Sequence, residues 1–277
     1  MFGNVLMTYC IRIVLLAYNE ADSIASVLIR LNEHLTNDQS NFRLYVVNDG
    51  STDDTLSIVE KLSDEMPLTL LSHVTNMGVA RAFDTGLREA TRDSDNNDVI
   101  ITMEADGTSV PELVSVMSGK ISDGYDIVCA SRYCEGGGLP NFPWRRRFFS
   151  INANRLLRLL FPINGVSDYT LFFRAYRAVL LKTAFKTYGG DFIASTGFVS
   201  NAEMLIKLRA FSPEATECPM IYDYSVKKSS SKMRVWTNTA EYLRTIWKKP
   251  HQVSSSTIYH ETNKSKHLTV ARYAQSL

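Results

Sequence analysis

The stretch Asp-Val-Ile-Ile-Thr-Met-Glu-Ala-Asp-Gly-Thr-Ser, residues 98–109, joins a short apolar run to two acids and a glycine turn. The run at 99–101 is typical of a strand buried on both faces of a parallel sheet. Glu104 and Asp106 are two residues apart, so their side chains point to the same side where the strand ends. Ligands of open α/β sheets bind beyond the carboxyl ends of the strands. Two carboxylates there can share a hard divalent cation that bridges a diphosphate, and the alternative is a pair of solvated acids beside a turn.

Strand and helix patterns alternate on both sides of this stretch. Apolar runs predict further strands at 10–18, 42–47, 68–73 and 127–130. Helical spacing predicts helices at 21–35, at 56–62, from residue 78 to 90 and after Pro111, the last with an apolar side formed by Leu113, Val116 and Met117. This alternation predicts an α/β fold with a mostly parallel, twisted sheet and helices on both faces.

The second half of the chain begins with a loop at 132–143 that contains Gly136-Gly137-Gly138 and is expected to be mobile and to order over a ligand. A helix follows from Trp144 to about Phe161. Its spacing places an apolar set on one face: Phe149, Ala153, Leu156 and Leu160. The remaining pattern predicts strands at 168–174 and 216–222, helices at 175–185, 198–211 and 235–248, and a loose polar tail from residue 250.

Composition narrows the class of protein. The chain has 277 residues, 45% of them hydrophobic, and a net charge of +1, which argues against nucleic acid as a partner. Four cysteines without a CxxC pair suit buried thiols in a reducing cytosol. No signal peptide is recognised, and no apolar run approaches the length of a membrane span, so any membrane contact is expected to be peripheral. We expect one domain over 1–249, divided at residue 131 into a nucleotide-binding half and an acceptor-binding half.

Five stretches resemble one family when they are taken together. They are Leu-Ala-Tyr-Asn-Glu at 16–20, Val-Asn-Asp-Gly-Ser-Thr-Asp at 47–53, Asn-Met-Gly-Val-Ala-Arg-Ala at 76–82, Met-Glu-Ala-Asp at 103–106 and Ala-Ser-Arg-Tyr at 130–133. Their order and spacing resemble the family-two glycosyltransferases with a GT-A fold, and most of all the dolichol- or polyprenyl-phosphate sugar synthases. The resemblance covers roughly residues 11–248, with Asp-Tyr-Thr at 168–170 and Ser-Lys-Met at 231–233 extending it.

The resemblance implies a site for a nucleotide-diphosphate sugar donor. The residues that would hold the base and ribose are Ala17, Tyr18, Glu20, Asp49 and Ser51, and Lys232 would face the phosphates. Carboxylates suit this role because they accept hydrogen bonds from a base N–H or a ribose hydroxyl. The alternative is that Asp49 and Ser51 only shape a turn and cap a helix.

The resemblance also implies a metal site and an acceptor site. Glu104 and Asp106 occupy the metal-binding positions, for Mg²⁺ or Mn²⁺. Arg132, Arg146 and Ser150 match positions that contact the phosphate of a lipid acceptor. A solvated helix face is the alternative for the arginines.

The chain departs from the family pattern at several positions. Asn48 and Glu104 stand where Asp is usual, 171–173 lacks a common Gly, and Ser225 and Ser229 stand near positions where Arg and Gly are frequent.

The resemblance implies an inverting transferase that moves a hexose to a polyprenyl phosphate, with Asp106 and Arg132 in the catalytic centre. A lipid phosphate is already anionic near pH 7, whereas a sugar hydroxyl needs a base, for which Asp168 is the first candidate. Asp168 is equally well explained as a structural acid that orients Arg132 or Arg146.

Two other functions stay open from the sequence. One is transfer to a glycan or another hydroxyl acceptor, and the other is a non-catalytic nucleotide-sugar-binding protein. A dinucleotide-dependent dehydrogenase is disfavoured because no GxGxxG follows the first strand.

A membrane contact is expected around the start of the helix at 144–161. Trp144, Arg146 and Arg147 are predicted to face the bilayer or the lipid phosphate, while Leu156 and Leu160 belong to the core. The protein would then be a peripheral enzyme on the cytoplasmic leaflet.

Overall fold

A computed structural model of the chain describes residues 9–226. The strands are β1 (Ile11–Ala17), β2 (Phe42–Asn48), β3 (Leu68–Ser72), β4 (Val99–Glu104), β5 (Ile127–Ser131), β6 (Arg174–Arg177) and β7 (Ala215–Pro219). The helices are α1 (Ile24–Asn37), α2 (Thr55–Ser63), α3 (Val79–Arg92), α4 (Glu112–Ser122), α5 (Trp144–Leu160), α6 (Ala178–Tyr188) and α7 (Ser200–Leu208).

The seven strands form one sheet in the order β3-β2-β1-β4-β6-β5-β7. Strand β6 is antiparallel to β4 and β5, and the other neighbours are parallel. The mostly parallel α/β sheet predicted from the alternation is confirmed.

Both faces of the sheet are covered by helices. Along β1 the side chains alternate: Val14 packs in one core cluster with α3, α6 and α7. Ile13 and Leu15 pack in the other cluster with α1, α2 and α4. The apolar runs are continuous because a strand covered on both sides has no polar face to present.

The carboxyl ends of three strands coincide at one edge of the sheet. Leu16 near the end of β1 pairs with Glu104 on β4, and Ala17 pairs with Asn48 at the end of β2. The loops that follow these strands are therefore brought together, which is where an α/β sheet binds its ligands.

The strand predicted at 168–174 is wrong over most of its length, because β6 begins only at Arg174. The Asp168 carboxylate accepts hydrogen bonds from the amides of Thr170 and Leu171 at 3.1 and 3.2 Å. Such short-range bonds hold the chain in a turn and replace strand pairing.

The apolar faces predicted for two helices also need correction. On α4 the predicted Val116 is 49% exposed, and Val114 and Ile121 are buried. On α5 the predicted core residues Leu156 and Leu160 are 40% and 42% exposed, and the buried positions are Asn154 and Leu157.

The glycine loop at 132–143 is tied to the segment after β7 by backbone hydrogen bonds. The Gly138 amide donates to the Met220 carbonyl at 3.1 Å, and the Tyr222 amide donates to the Gly138 carbonyl at 3.0 Å. A Cβ at Gly137 would lie 2.5 Å from the carbonyl oxygen of Ser131, so only glycine fits this close approach. The loop is therefore bonded to the segment that follows β7, and its mobility stays a prediction.

Several predictions fall outside residues 9–226: the donor contact Lys232, the helix at 235–248, the domain end at 249 and the tail from 250. Within the described residues, no helix has the length and apolar character needed to cross a bilayer. All four cysteines are unpaired; Cys129 and Cys218 are buried, and Cys10 and Cys134 are half-buried.

Candidate active site

The two acids that end β4 lie side by side with a hydroxyl. Asp106 is buried and Glu104 is half-buried. The Thr108 hydroxyl donates to Asp106 Oδ1 at 2.6 Å and lies 3.4 Å from Glu104 Oε2. The three oxygen-bearing side chains form a compact group, as their positions at the strand end predict.

Asp49 is buried in the β2–α2 loop and holds the loop before α3. Its carboxylate accepts hydrogen bonds from the amides of Met77 and Gly78, both at 2.9 Å, and Oδ1 lies 2.7 Å from Nδ1 of His73. The Asp49 amide donates to the Ala17 carbonyl at 2.8 Å. Asp49 therefore fixes the loop before α3 at the floor of the expected donor site, which is a structural role.

The loops after β1 and β2 are tied to each other by short hydrogen bonds. The Asn19 amide donates to Ser51 Oγ at 3.0 Å, the Glu20 amide to Thr55 Oγ1 at 2.8 Å, and the Thr52 amide to Asn19 Oδ1 at 2.8 Å. Gly50 lets the loop after β2 also approach the loop after β3, because a Cβ there would lie 2.4 Å from the Thr75 carbonyl carbon. The predicted donor residues Ala17, Tyr18, Glu20, Asp49 and Ser51 are thus brought to one edge.

Arg132 and Asp168 form a buried ion pair across the next part of this edge. Arg132 Nε lies 2.7 Å from Asp168 Oδ2, and Nη2 lies 2.9 Å from Oδ1, which is the bidentate fork geometry. Nη2 also donates to Thr170 Oγ1 at 2.7 Å. Among the described residues Nη1 makes no hydrogen bond of its own, so this nitrogen is the one left to meet a ligand.

Burial and ion pairing shift the pKa values of these two side chains in opposite directions. Burial alone would raise the pKa of Asp168, but the charge and hydrogen bonds of Arg132 outweigh it and lower the pKa. Burial would likewise lower the pKa of Arg132, and the Asp168 charge raises it instead. Asp168 is 0% exposed, with both oxygens engaged, so it is a poor general base for a sugar hydroxyl. The geometry supports the other interpretation of Asp168, an acid that orients Arg132. Arg146 is bonded to Tyr224 and not to Asp168.

Helix α5 contributes two of the predicted acceptor residues to the same region. Arg146 Nη1 donates to the Tyr224 hydroxyl at 2.8 Å. Ser150 Oγ accepts a hydrogen bond from the Tyr133 hydroxyl at 2.8 Å. Asn154 anchors the helix, because its amide nitrogen donates to Thr170 Oγ1 at 3.1 Å and its oxygen accepts from the Tyr169 amide at 2.6 Å.

Sequence reasoning missed two residues that support the site. Glu217 on β7 accepts hydrogen bonds from the Ser167 and Asp168 amides at 2.7 and 2.8 Å and so fixes the backbone of Asp168. Tyr222 lies beside Arg132, whose guanidinium carbon is 5.9 Å from the centre of the Tyr222 ring. Burial, and then the charges of Glu104 and Asp106, raise the pKa of Tyr222, so its hydroxyl keeps its proton. Neither residue belongs to a local motif, since both act across more than 40 positions of sequence.

Comparison with known proteins decides the family. A family model described as glycosyl transferase family 2 matches residues 12–185. The chain belongs to glycosyl transferase family 2.

Curated relatives in this family include two lipid-directed enzymes by name. Polyprenol monophosphomannose synthase of Mycolicibacterium smegmatis is 30% identical over 176 residues, 61% of this chain and 62% of the relative. Dolichol-phosphate mannosyltransferase of Pyrococcus furiosus is 27% identical over 239 residues, 86% of this chain and 63% of the relative. The chain therefore spans about three fifths of the length of each relative.

Solved structures of another enzyme share the fold of this chain. Glucosyl-3-phosphoglycerate synthase from Mycobacterium tuberculosis, in complex with Mn²⁺, UDP and glucosyl-3-phosphoglycerate, superimposes with a TM-score of 0.60 at 18% identity. The match covers 90% of this chain and 82% of that one. The same enzyme with Mg²⁺ and UDP gives a TM-score of 0.61. The GT-A fold expected from the sequence is confirmed.

The residues of this site fit a hard divalent cation. Glu104, Asp106 and Thr108 offer oxygen atoms only, which Mg²⁺ and Mn²⁺ prefer. Within residues 9–226 no group of three or more His, Cys, Asp or Glu side chains converges to hold a metal ion. Among the described residues, Glu104 and Asp106 would hold the cation.

Proposed function

We propose that this chain is an inverting glycosyltransferase that moves a hexose from a nucleotide-diphosphate sugar to a polyprenyl phosphate. The proposal rests on one observation: a negatively charged site and a positively charged site lie side by side at the same edge of the sheet. The Glu104–Asp106 pair suits a cation with its diphosphate, and Arg132 beside it suits an anionic acceptor. The names of the two curated relatives support a lipid phosphate as that acceptor.

The donor would lie over the carboxyl ends of β1, β2 and β4. Ala17, Tyr18, Glu20, Asp49 and Ser51 line the end where the base and ribose bind, and Lys232 would face the phosphates. Glu104 and Asp106 would hold a divalent ion, Mg²⁺ or Mn²⁺, which neutralises charge on the departing nucleoside diphosphate.

The acceptor would lie on the side of Arg132, Arg146 and Ser150. Arginine binds phosphate through a planar fork, and Asp168 fixes the orientation of Arg132 before the acceptor arrives. A phosphate oxygen attacks the anomeric carbon from the face opposite the diphosphate, the new C–O bond forms as the old one breaks, and the nucleoside diphosphate leaves. The phosphate is already an anion, so the step needs no general base, in agreement with the enclosed position of Asp168.

We further propose that α5 rests on the membrane that carries this acceptor. Apolar side chains stand on its outer surface: Trp144 is 73% exposed, Phe148 60% and Leu159 79%, with Leu156 and Leu160 beside them. Residues 144–160 include five arginines and no Asp or Glu. A basic helix with an exposed aromatic and leucine face fits the interface of an anionic bilayer. The leucines assigned to the core by sequence thus join the proposed membrane face, and attachment would be peripheral, on the cytoplasmic leaflet.

A second function has one observation in its favour. The solved neighbours at 18% identity share the fold but bear the name of an enzyme with a soluble phosphorylated acceptor, glucosyl-3-phosphoglycerate synthase. A soluble or glycan acceptor is therefore the competing outcome.

The test is acceptor kinetics with polyprenyl phosphate, a soluble phosphorylated acceptor and an oligosaccharide. Wild type should transfer sugar to polyprenyl phosphate alone. Arg132→Ala should raise the apparent KM for the lipid at least tenfold and Arg146→Ala less, because Arg132 lies nearer the acids, and donor affinity should stay unchanged. Preferred transfer to the oligosaccharide would contradict the lipid-phosphate proposal.

A further inference from the structure

His73 lies directly after β3, between the carboxylate of Asp49 and helix α3. Its Nδ1 is 2.7 Å from Asp49 Oδ1, and its backbone amide donates to the Asn48 carbonyl at 2.9 Å. On the other side of the ring, Nε2 is 3.0 Å from the Thr85 hydroxyl on α3. The side chain of His73 is 11% exposed and that of Asp49 5%. The imidazole is therefore held at both nitrogens, between a loop of the expected donor site and a helix.

Helix α3 is a firm support for this ring. Gly86 is the neighbour of Thr85, and it packs directly on the sheet. A Cβ at Gly86 would lie 2.5 Å from Val14 Cγ1 and 2.9 Å from Val47 Cγ2. The helix therefore has no room to shift towards the sheet, and the position of the Thr85 hydroxyl is fixed relative to strand β2, which leads to Asp49.

The chemistry of the two side chains decides which atom donates. An ionised carboxylate only accepts hydrogen bonds, so Nδ1 of His73 carries the proton and donates to Asp49. A carboxylate offers about four accepting positions. Among the described residues, His73 and the Met77 amide bond to Oδ1, and the Gly78 amide bonds to Oδ2. The carboxylate is thus fixed by three donors and keeps an accepting position on Oδ2 for an N–H or O–H group of a ligand.

The loop between β3 and α3 depends on this carboxylate for its position, since its apolar side chains are not buried. Val74 is 99% exposed and Met77 50%. Apolar burial therefore contributes little to holding the loop, and the two hydrogen bonds from its amides to Asp49 hold it instead. A change in the orientation of Asp49 would displace the carboxylate and this loop together.

We propose that His73 is a positioning residue for the base-and-ribose end of the donor, and that it acts through Asp49. Its Nδ1–H holds Oδ1, which keeps Oδ2 and the loop before α3 in the arrangement that receives the nucleotide. The inference rests on the proposed function, since Asp49 is one of the residues proposed to line the donor site. If His73 only filled space, phenylalanine would replace it without a loss of nucleotide affinity.

Two substitutions of His73 separate positioning from the filling of space. His73→Phe keeps an aromatic ring and removes the N–H donor, whereas His73→Asn keeps an N–H donor one bond beyond Cγ, where Nδ1 stands. Binding is measured by calorimetry with Mn²⁺ and two ligands. The first is whichever of UDP, GDP, ADP and CDP wild type binds most tightly, and the second is pyrophosphate, which has the diphosphate without base or ribose.

The expected effect is selective for the nucleotide. His73→Phe should weaken nucleoside diphosphate binding about tenfold, because a hydrogen bond to a charged group is lost, and should leave pyrophosphate binding unchanged. His73→Asn should return nucleotide affinity to within about threefold of wild type, because the N–H···O bond is kept.

His34→Phe is the matched control. His34 is a half-buried histidine in the last turn of α1, and its Nε2 lies 2.9 Å from the Ser115 hydroxyl on α4. This variant should bind both ligands like wild type.

Thr85→Val is a second, milder variant. It removes the hydroxyl that holds Nε2, leaves His73 in place and keeps the shape of the side chain. It should weaken nucleotide binding about threefold, with pyrophosphate binding unchanged.

The outcomes separate this inference from the proposed function. Equal nucleotide affinity in wild type and folded His73→Phe overturns the inference, as does an equal loss of nucleotide and pyrophosphate affinity. If His73→Phe does not fold, unchanged nucleotide affinity in Thr85→Val overturns it. In these cases wild type still binds the nucleotide, and the proposed function stands. If wild type binds none of the four nucleoside diphosphates with Mn²⁺, the proposed function fails and the inference fails with it.

Discussion

Arg132 owes its orientation to one side chain, Asp168, and that dependence can be measured. Asp168→Asn keeps the shape of the acid but leaves the buried guanidinium without its charge partner. Removing one partner of a buried pair costs about 3–5 kcal/mol of unfolding free energy. We expect that loss in urea unfolding and an acceptor KM about tenfold higher, because Arg132 loses its fork.

The kinetic pattern of Asp168→Asn distinguishes orientation from proton transfer. A general base would lower kcat with the acceptor KM unchanged, and its pKa would define an acid limb in the pH–rate profile. A collapse of kcat by more than about a hundredfold at constant KM would contradict the orienting role.

Substitution of Asp106 tests the proposed cation site. Asp106→Asn should abolish metal-dependent binding of a nucleoside diphosphate in calorimetry, because a neutral amide is a poor ligand for a hard cation. Glu104→Gln should act in the same direction with a smaller effect, since Glu104 is the more exposed of the two. Asp64→Asn at the end of α2 is a control that leaves binding unchanged. Normal turnover of Asp106→Asn without added metal would show that the cation role is wrong.

Helix α5 shows which features of an element can be predicted from the sequence and which cannot. Its limits are predicted within one residue, since apolar spacing and the preceding Pro143 mark them. Its buried face is not predicted correctly, because the apolar spacing places Leu156 and Leu160 in the core. The helix buries Asn154 together with Leu157. The Asn154 amide bonds Tyr169 and Thr170, and a polar anchor of this kind leaves no trace in hydrophobic periodicity.

The exposed face of α5 makes the membrane proposal testable. Phe148→Ser combined with Leu159→Ser should reduce co-sedimentation with anionic vesicles at least tenfold, because the apolar contact is lost while the arginines remain. Unfolding should be unaffected, since both side chains are exposed. Val116→Ser, at an apolar position 49% exposed on α4, is the control.

Two results would contradict this assignment of the α5 face. Wild type could ignore vesicles, or the double variant could lose unfolding stability. The second result would mean that another part of the chain or a second copy covers the face.

For the whole molecule, the sheet and its binding edge follow from the sequence, whereas the links across the site do not. Strand-end acids such as Glu104 and Asp106 are visible because the apolar run and the turn are adjacent to them. Tyr222 and Glu217 come from a distant part of the chain and reach the site only through the order of strands β6, β5 and β7. Long-range packing, not local pattern, decides such contacts.

The buried ion pair between Arg132 and Asp168 makes the stability of the folded state depend on pH in the acid range. The pKa of Asp168 is lowered in the folded state, so its stabilisation is fully present above its unfolded pKa of about 3.9 and is lost as pH falls through the folded pKa. Urea midpoints should therefore fall below about pH 4, and this fall should be smaller in Asp168→Asn. An equal fall in both proteins would show that other carboxylates dominate acid unfolding.

The identity of the product made by the wild-type protein is the most direct test of the proposed function. The protein is incubated with Mn²⁺ or Mg²⁺, nucleotide-diphosphate hexoses and polyprenyl phosphate, and the lipid product is analysed by mass spectrometry and by NMR of its anomeric centre. We expect one hexose joined through the phosphate, with the anomeric configuration inverted relative to the donor. A retained configuration, or a product in which the sugar is joined to a hydroxyl and the lipid phosphate stays unmodified, would contradict it.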